Sequence, residues 1–148
     1  MTTETRGDGR TMSPMSDIMQ ACISNCIACH RICIETLAHC LQMGGAHAEA
    51  GHIQLLLDCA AVCQLSEDFM LRTSEFHAQV CGVCADVCER CAESCHEIRG
   101  TDTADGNADA IMLSCAEVCT RCAESCRQMA GMMSAGRDGG MAEMAAKR

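Results

Sequence analysis

The chain has 148 residues and a formal net charge of −9, from 20 acidic and 11 basic side chains. That balance argues against a phosphate-binding face for nucleic acid and disfavours an anionic membrane surface. Cysteine supplies 16 of the apolar residues and methionine 12, against two Phe and no Trp or Tyr, so a core of ordinary aliphatic and aromatic composition is ruled out.

Residues 1–12 are polar and are expected to form a disordered tail. Ser13-Pro14 reads as an N-cap followed by proline at the first helical position. The first helix is expected to run to Met43, where Gly44-Gly45 stops it. A second helix is expected from about Ala46 to Arg72. Thr73 or Ser74 can cap a third, which continues to Ile98 and stops at Gly100. The loop TDTADGNAD offers several further caps, and a fourth helix is expected from about Ala108 to Met133. Val and Ile do not alternate, so no strand is expected. The fold class is all-α: an up-down-up-down four-helix bundle over residues 13–134 with a cysteine-lined core, followed by a flexible tail at 135–148. The start, MTTETRGDGRTMSPMSD, has no apolar signal region. No run approaches the roughly 18 apolar residues of a membrane span. The expected compartment is therefore the reducing cytoplasm, where sixteen cysteines point to metal rather than to disulfides.

The spacing of those cysteines decides where they point. Side chains three and four residues apart share a helix face. The first helix carries Cys22, Cys26, Cys29, Cys33 and Cys40, within an arc of about 60° at roughly 100° per residue. The third carries Cys81, Cys84, Cys88, Cys91 and Cys95, within about 80°. The fourth carries Cys115, Cys119, Cys122 and Cys126, again within about 60°. Cys59 and Cys63 share a face of the second. Helices three and four have no rival apolar stripe, so these faces must line the bundle axis. Asp86, Glu89, Glu93, Glu117 and Glu124 fall on the outward faces. A few cysteines would be simple core filler. Sixteen on four coherent stripes would fill a bundle axis poorly without something occupying it.

Thiolate and thioether sulfur are soft ligands that select Cu(I). Zinc sites gather four ligands tetrahedrally, usually with loops shaping the approach, whereas these thiols form a continuous ladder. Zn(II) with four unshared thiolates carries −2, and burying a row of such anions is costly. Thiolates that bridge two Cu(I) ions approach one metal per sulfur and a neutral core. The expected cargo is therefore multiple Cu(I) ions per chain, on the order of one per cysteine. The alternatives are a zinc or mixed-metal thiolate buffer and a thiol redox protein. The redox reading is disfavoured because the Cys-xx-Cys pairs lie inside helices rather than at a helix N-terminus, where a thiol is activated. No catalytic constellation stands out, and the chain is not expected to be an enzyme.

The segments ACISNCIACHRIC, DCAAVC, CGVCADVCERCAESC and CAEVCTRCAESC resemble, in order, the helices of the bacterial copper storage proteins. The likeness extends over about Ala21 to Met129. It implies a Cu(I)-filled four-helix bundle and, with the cytosolic branch of the family, a homotetramer; a copper chaperone is the candidate delivery partner. That branch implies further cysteines near the starts of helices two and four. Here His52 and Met112 stand in those places. The likeness also implies that the bundle end carrying Cys40, Met43, His52 and Met112 is the open one. The opposite end offers Met15, Met19, Met70, His77, Met129 and Met133, more in keeping with core packing. His30, His39, His47 and His96 are expected to be exposed and unliganded.

Overall fold

The computed structural model describes the backbone of residues 14–98 and 109–146, and side chains within 17–98 and 109–132. Four helices run through it: α1 (Pro14–Met43), α2 (Ala50–Leu71), α3 (His77–Ile98) and α4 (Ala110–Ala146). No strand occurs among the described residues. A short 3-10 turn at Gly45–Ala48 precedes α2. Ser13, Gly100 and most of TDTADGNAD lie outside the described residues, as does residue 1–12.

Local chemistry sets the boundaries. α1 ends where Gly44 and Gly45 adopt φ of 72° and 55°, left-handed values that glycine takes without penalty. The Gly44 N–H donates to the carbonyl of Cys40 at 3.1 Å, closing the last turn. A single long second helix from Ala46 was expected. Instead the 3-10 turn intervenes, and Glu49 caps α2 by accepting from the His52 N–H at 3.0 Å. The N–H groups of Gly51 and His52 hold the Glu49 carboxyl below the usual carboxylate range. At the far end of α2, Thr73 has φ 48°, and the Ser74 hydroxyl accepts from the Phe76 N–H at 3.1 Å. The chain spends residues 73–76 in that turn, so α3 begins at His77, later than a cap at Thr73 or Ser74 would start it. Asp109 caps α4, its Oδ1 accepting from the N–H groups of Ile111 at 3.0 Å and Met112 at 3.4 Å. The α4 backbone stays helical to Ala146, past the end expected at Met133.

The cross-helix contacts fix the topology. Cys29 meets Cys59 while Cys40 meets His52, so α1 and α2 are antiparallel. Cys59 meets Cys88 and Cys63 meets Cys84, which sets α2 against α3. Cys22 meets Cys126 and Cys40 meets Met112, which sets α1 against α4. This is the up-down-up-down bundle. α3 and α4 share the most extensive seam. Its composition explains the near-identity of CADVCERCAESC and CAEVCTRCAESC. Each copy buries alanines beside its cysteines, Ala85 and Ala92 on α3, Ala116 and Ala123 on α4. Side chains this small let the two backbones approach closely along matching ridges. No helix among the described residues is long and apolar enough to cross a membrane.

Candidate metal centre

All sixteen cysteines are fully buried, with 0% exposure, and all are free thiols. The stripes continue the pattern at a few positions where sulfur is replaced. α1 presents Thr36 between Cys33 and Cys40, and α2 presents Leu56 and Ser66 on either side of Cys59 and Cys63. α2 ends its buried face on Met70, and α4 begins and ends its own on Met112 and Met129. The hydroxyls of Thr36 and Ser66 are buried without a hydrogen-bond partner. An orphaned hydroxyl in an apolar site costs about 1–3 kcal/mol.

The thiols form overlapping groups whose sulfurs all lie within 4.8 Å of one another. Along the axis these are Cys22, Cys81 and Cys126; then Cys26, Cys84, Cys122 and Cys126; then Cys29, Cys63, Cys88 and Cys122; then Cys29, Cys33, Cys59 and Cys119; then Cys33, Cys91, Cys115 and Cys119. Successive groups share members, and the sharing makes one ladder rather than separate sites. Individual contacts run from 3.5 Å for Cys59–Cys88 to 4.0 Å for Cys115–Cys119. Sulfurs bound to one tetrahedral zinc at about 2.3 Å are separated by about 3.8 Å, so the spacing alone admits either metal.

The ladder ends in a different donor set. Cys40 Sγ lies 3.4 Å from His52 Nε2 and 3.6 Å from Met112 Sδ. Ser94 Oγ sits 2.8 Å from His52 Nδ1 and holds the ring with Nε2 facing the thiol. His52 and Met112 are thus inward and buried, as expected, with Cys95 buried on α3 beside Ser94. Met43 is not. It is 45% exposed, because α1 is ending there and the glycine turn carries the chain away from the axis.

Three of the other imidazoles also depart from expectation. His47 is fully buried, since the 3-10 turn folds it over the end of the bundle. His39 is partly buried, and both rings reach Asp109. His30 is half-buried and donates through Nδ1 to the carbonyl of Ala60 at 3.1 Å. His96 alone of the four is exposed. At the opposite end Met70, His77 and Met129 are buried and Met19 is half-buried; the side chains of Met15 and Met133 lie outside the described residues. Asp86, Glu89, Glu93, Glu117 and Glu124 are exposed. Ser94, Asp109, Thr36 and Ser66 were not singled out by sequence reasoning. Ser94 and Asp109 carry no periodic signal. Thr36 and Ser66 do: each falls on its helix's cysteine stripe at the three- and four-residue spacing.

Burial and contact between neighbouring thiols set the protonation of this core. The Cys40 thiol is pushed up to about 12 by burial, with the neighbouring cysteines and Asp109 adding repulsion. Cys81 also rises to about 12; contact with Cys126 favours its thiolate, but Cys22 and burial outweigh it. Burial holds His52 below the ordinary imidazole range. At neutral pH Cys40, Cys81 and His52 are therefore uncharged in the metal-free protein, and a metal bound by these two thiols must expel their protons.

A sulfur ladder of this kind has known relatives. Residues 15–131 match the family defined as copper storage protein. The chain belongs to the copper storage protein family. Its fold is similar to the crystal structure of Nmul_A1745 protein from Nitrosospira multiformis, with TM-score 0.69 and 43% identity over 78% of this chain and 97% of that one. It is similar to the Cu(I)-bound copper storage protein BsCsp3, with TM-score 0.66 and 34% identity over 76% and 98% of the two chains. The apo copper storage protein 3 from Bacillus subtilis gives TM-score 0.64 at 34% identity, over 75% and 97%. Among curated proteins, an uncharacterized cysteine-rich protein of Bacillus subtilis (strain 168), YhjQ, is 35% identical over 81 residues, 55% of this chain and 75% of the relative.

Proposed function

We propose that this member of the copper storage family holds many Cu(I) ions along its axis, on thiolates contributed by all four helices. The observation that carries the reading is the overlap of successive thiol groups along the axis. A shared thiolate can bridge two monovalent ions, so the row tends to neutrality at about one ion per sulfur. The sixteen cysteines are the proposed ligands, with His52 and Met112 completing the set at the Cys40 end. That end is the proposed mouth. Imidazole and thioether bind Cu(I) without adding charge and suit ions in transit. Met43, being exposed, lies outside the set.

The role is storage rather than catalysis, since the thiols serve as a common pool and none stands apart beside a base. The chain works in the cytoplasm and takes copper from a chaperone at the mouth. A homotetramer is supported by apolar side chains left on the outside. Ile27, Ile34 and Leu41 recur every seventh residue along an exposed edge of α1, and Leu57, Leu65 and Val83 are also exposed.

Anaerobic titration against a competing Cu(I) chelator tests the proposal. Uptake of about one ion per cysteine is expected, and saturation at one or two ions would overturn it. The four-thiol groups give the zinc reading a specific footing, because each could hold one Zn(II) tetrahedrally. Filled separately, however, each such group would bury a charge of −2, and thiolates shared between Zn(II) ions would lower that charge only in part. Cu(I)–thiolate luminescence appearing as copper is added, and resistance of that signal to excess zinc, separate the two.

A further inference from the structure

Beside the mouth stands a cluster that the thiol ladder does not use. Asp109 Oδ2 lies 2.7 Å from His39 Nε2 and 2.9 Å from His47 Nε2. The two rings meet edge to face at 82°, with centroids 5.6 Å apart, so they approach that one oxygen from different directions. The side chains are 19%, 0% and 8% exposed for His39, His47 and Asp109. The other carboxylate oxygen is fixed by the first N–H groups of α4. The carboxylate is thereby oriented by its own helix, as the carboxylates and imidazoles of metal sites usually are by outer partners.

The geometry points to a second metal site, formed by His39, His47 and Asp109, for one divalent ion of the zinc type. Two imidazole nitrogens and a carboxylate oxygen are a borderline donor set suited to such ions. They are a poor match for Cu(I), which prefers the sulfur a few residues away. Cys40 follows His39 in sequence but lies about 100° round the helix and turns inward to His52 and Met112; it is not a member of the set. Zn–N and Zn–O bonds near 2.0–2.2 Å put ligand atoms about 3.3 Å apart in a tetrahedron. The present separations would open by about half an ångström, within reach of side-chain torsions. The partial exposure of His39 leaves a face where water can complete the coordination. One carboxylate and two neutral imidazoles give the bound ion a net charge of +1, tolerable on a chain of net charge −9. An ion here would tie together α1, the 3-10 turn and the start of α4, the three elements that frame the mouth.

The test uses the full chain, loaded anaerobically with Cu(I) so that its thiols are occupied, and then titrated with Zn(II). Imidazole ¹⁵N resonances of His39 and His47 are followed. One Zn(II) per chain is expected, with both Nε2 signals shifting together. Asp109→Asn keeps a good helix cap and should weaken binding by at least about a hundredfold, the upper end of what even a lost outer partner costs. His47→Ala should do the same. No Zn(II) uptake, or uptake that survives in both variants, would overturn the site and leave only a hydrogen-bonded clasp. Copper uptake is measured first and by itself, so failure of the storage reading is seen separately from failure of this one.

Discussion

The middle of the tube and its proposed mouth solve one electrostatic problem in two ways. In the middle, Cys29 alone lies within 3.7–3.9 Å of Cys59, Cys88 and Cys119, each from a different helix. Every donor there is an ionisable thiol, and charge balance depends on sharing. At the mouth the ladder runs out of neighbours. Cys40 meets a neutral imidazole and a thioether instead, and a carboxylate with two further imidazoles stands behind them. A buried anion needs a second cation to bridge; where no second cation can sit, uncharged donors take the place. In the proposed store, sulfur density sets capacity and donor neutrality sets exchange.

Copper removal should break the comparison most severely, because the middle has little to hold it together but metal. Each site saturated at about a thousand times its Kd adds about 4 kcal/mol. Several such sites raise the melting temperature by some tens of degrees in a chain of this size. A scan of loaded and chelator-stripped protein reads this directly, and equal melting temperatures would place the copper outside the core. Next, Cys29→Ala, Cys59→Ala and Cys119→Ala combined should lower capacity by about three ions or more, since each removed sulfur is shared. Cys40→Ala should cost about one, and chelator titration compares them. At the mouth, His52→Ala with Met112→Ala should slow Cu(I) loading several-fold while capacity falls by no more than about two ions. Stopped-flow uptake checks the rate, and an unchanged rate counts against the mouth.

The pH response of the empty protein is a smaller effect and reports the two ends of the ladder rather than its middle. Cys40 and Cys81 keep their protons to about 12 in the fold, against an ordinary thiol value of 9.0. Between these values the unfolded chain has lost protons that the folded one retains, so stability falls as pH rises. The melting temperature of apo protein should hold up to pH 9 and then decline towards 12. The smallest effect is expected outside both regions. Arg127 pairs on the surface with Glu89 at 2.9 Å and Asp86 at 3.6 Å. Arg127→Ala should change stability by under about 1 kcal/mol and leave copper capacity untouched.

Much of this was legible in the sequence because a helix converts spacing into direction. Cys115, Cys119, Cys122 and Cys126 could only face one way, and they do. His52 and Met112 were placed correctly by the same count. The errors fall where a helix stops. Met43 was carried inward by extending α1's period to its last residue, but the positive φ of Gly44 and Gly45 ends that period. A second helix starting at Ala46 leaves His47 off the inward stripe; the 3-10 turn puts it under the chain instead. The His39–Asp109–His47 cluster joins residues from three elements with no common period, so only coordinates bring it together. Thr36 and Ser66 sit on the stripes and could have been found by asking which stripe positions lack sulfur.

The sealed position of the thiols makes the molecule its own gauge of breathing. A bulky alkylating reagent cannot reach a sulfur with no accessible surface, so labelling proceeds only through transient opening. Mass spectrometry of the tagged peptides would then rank the four helices by how often each one swings away from its neighbours.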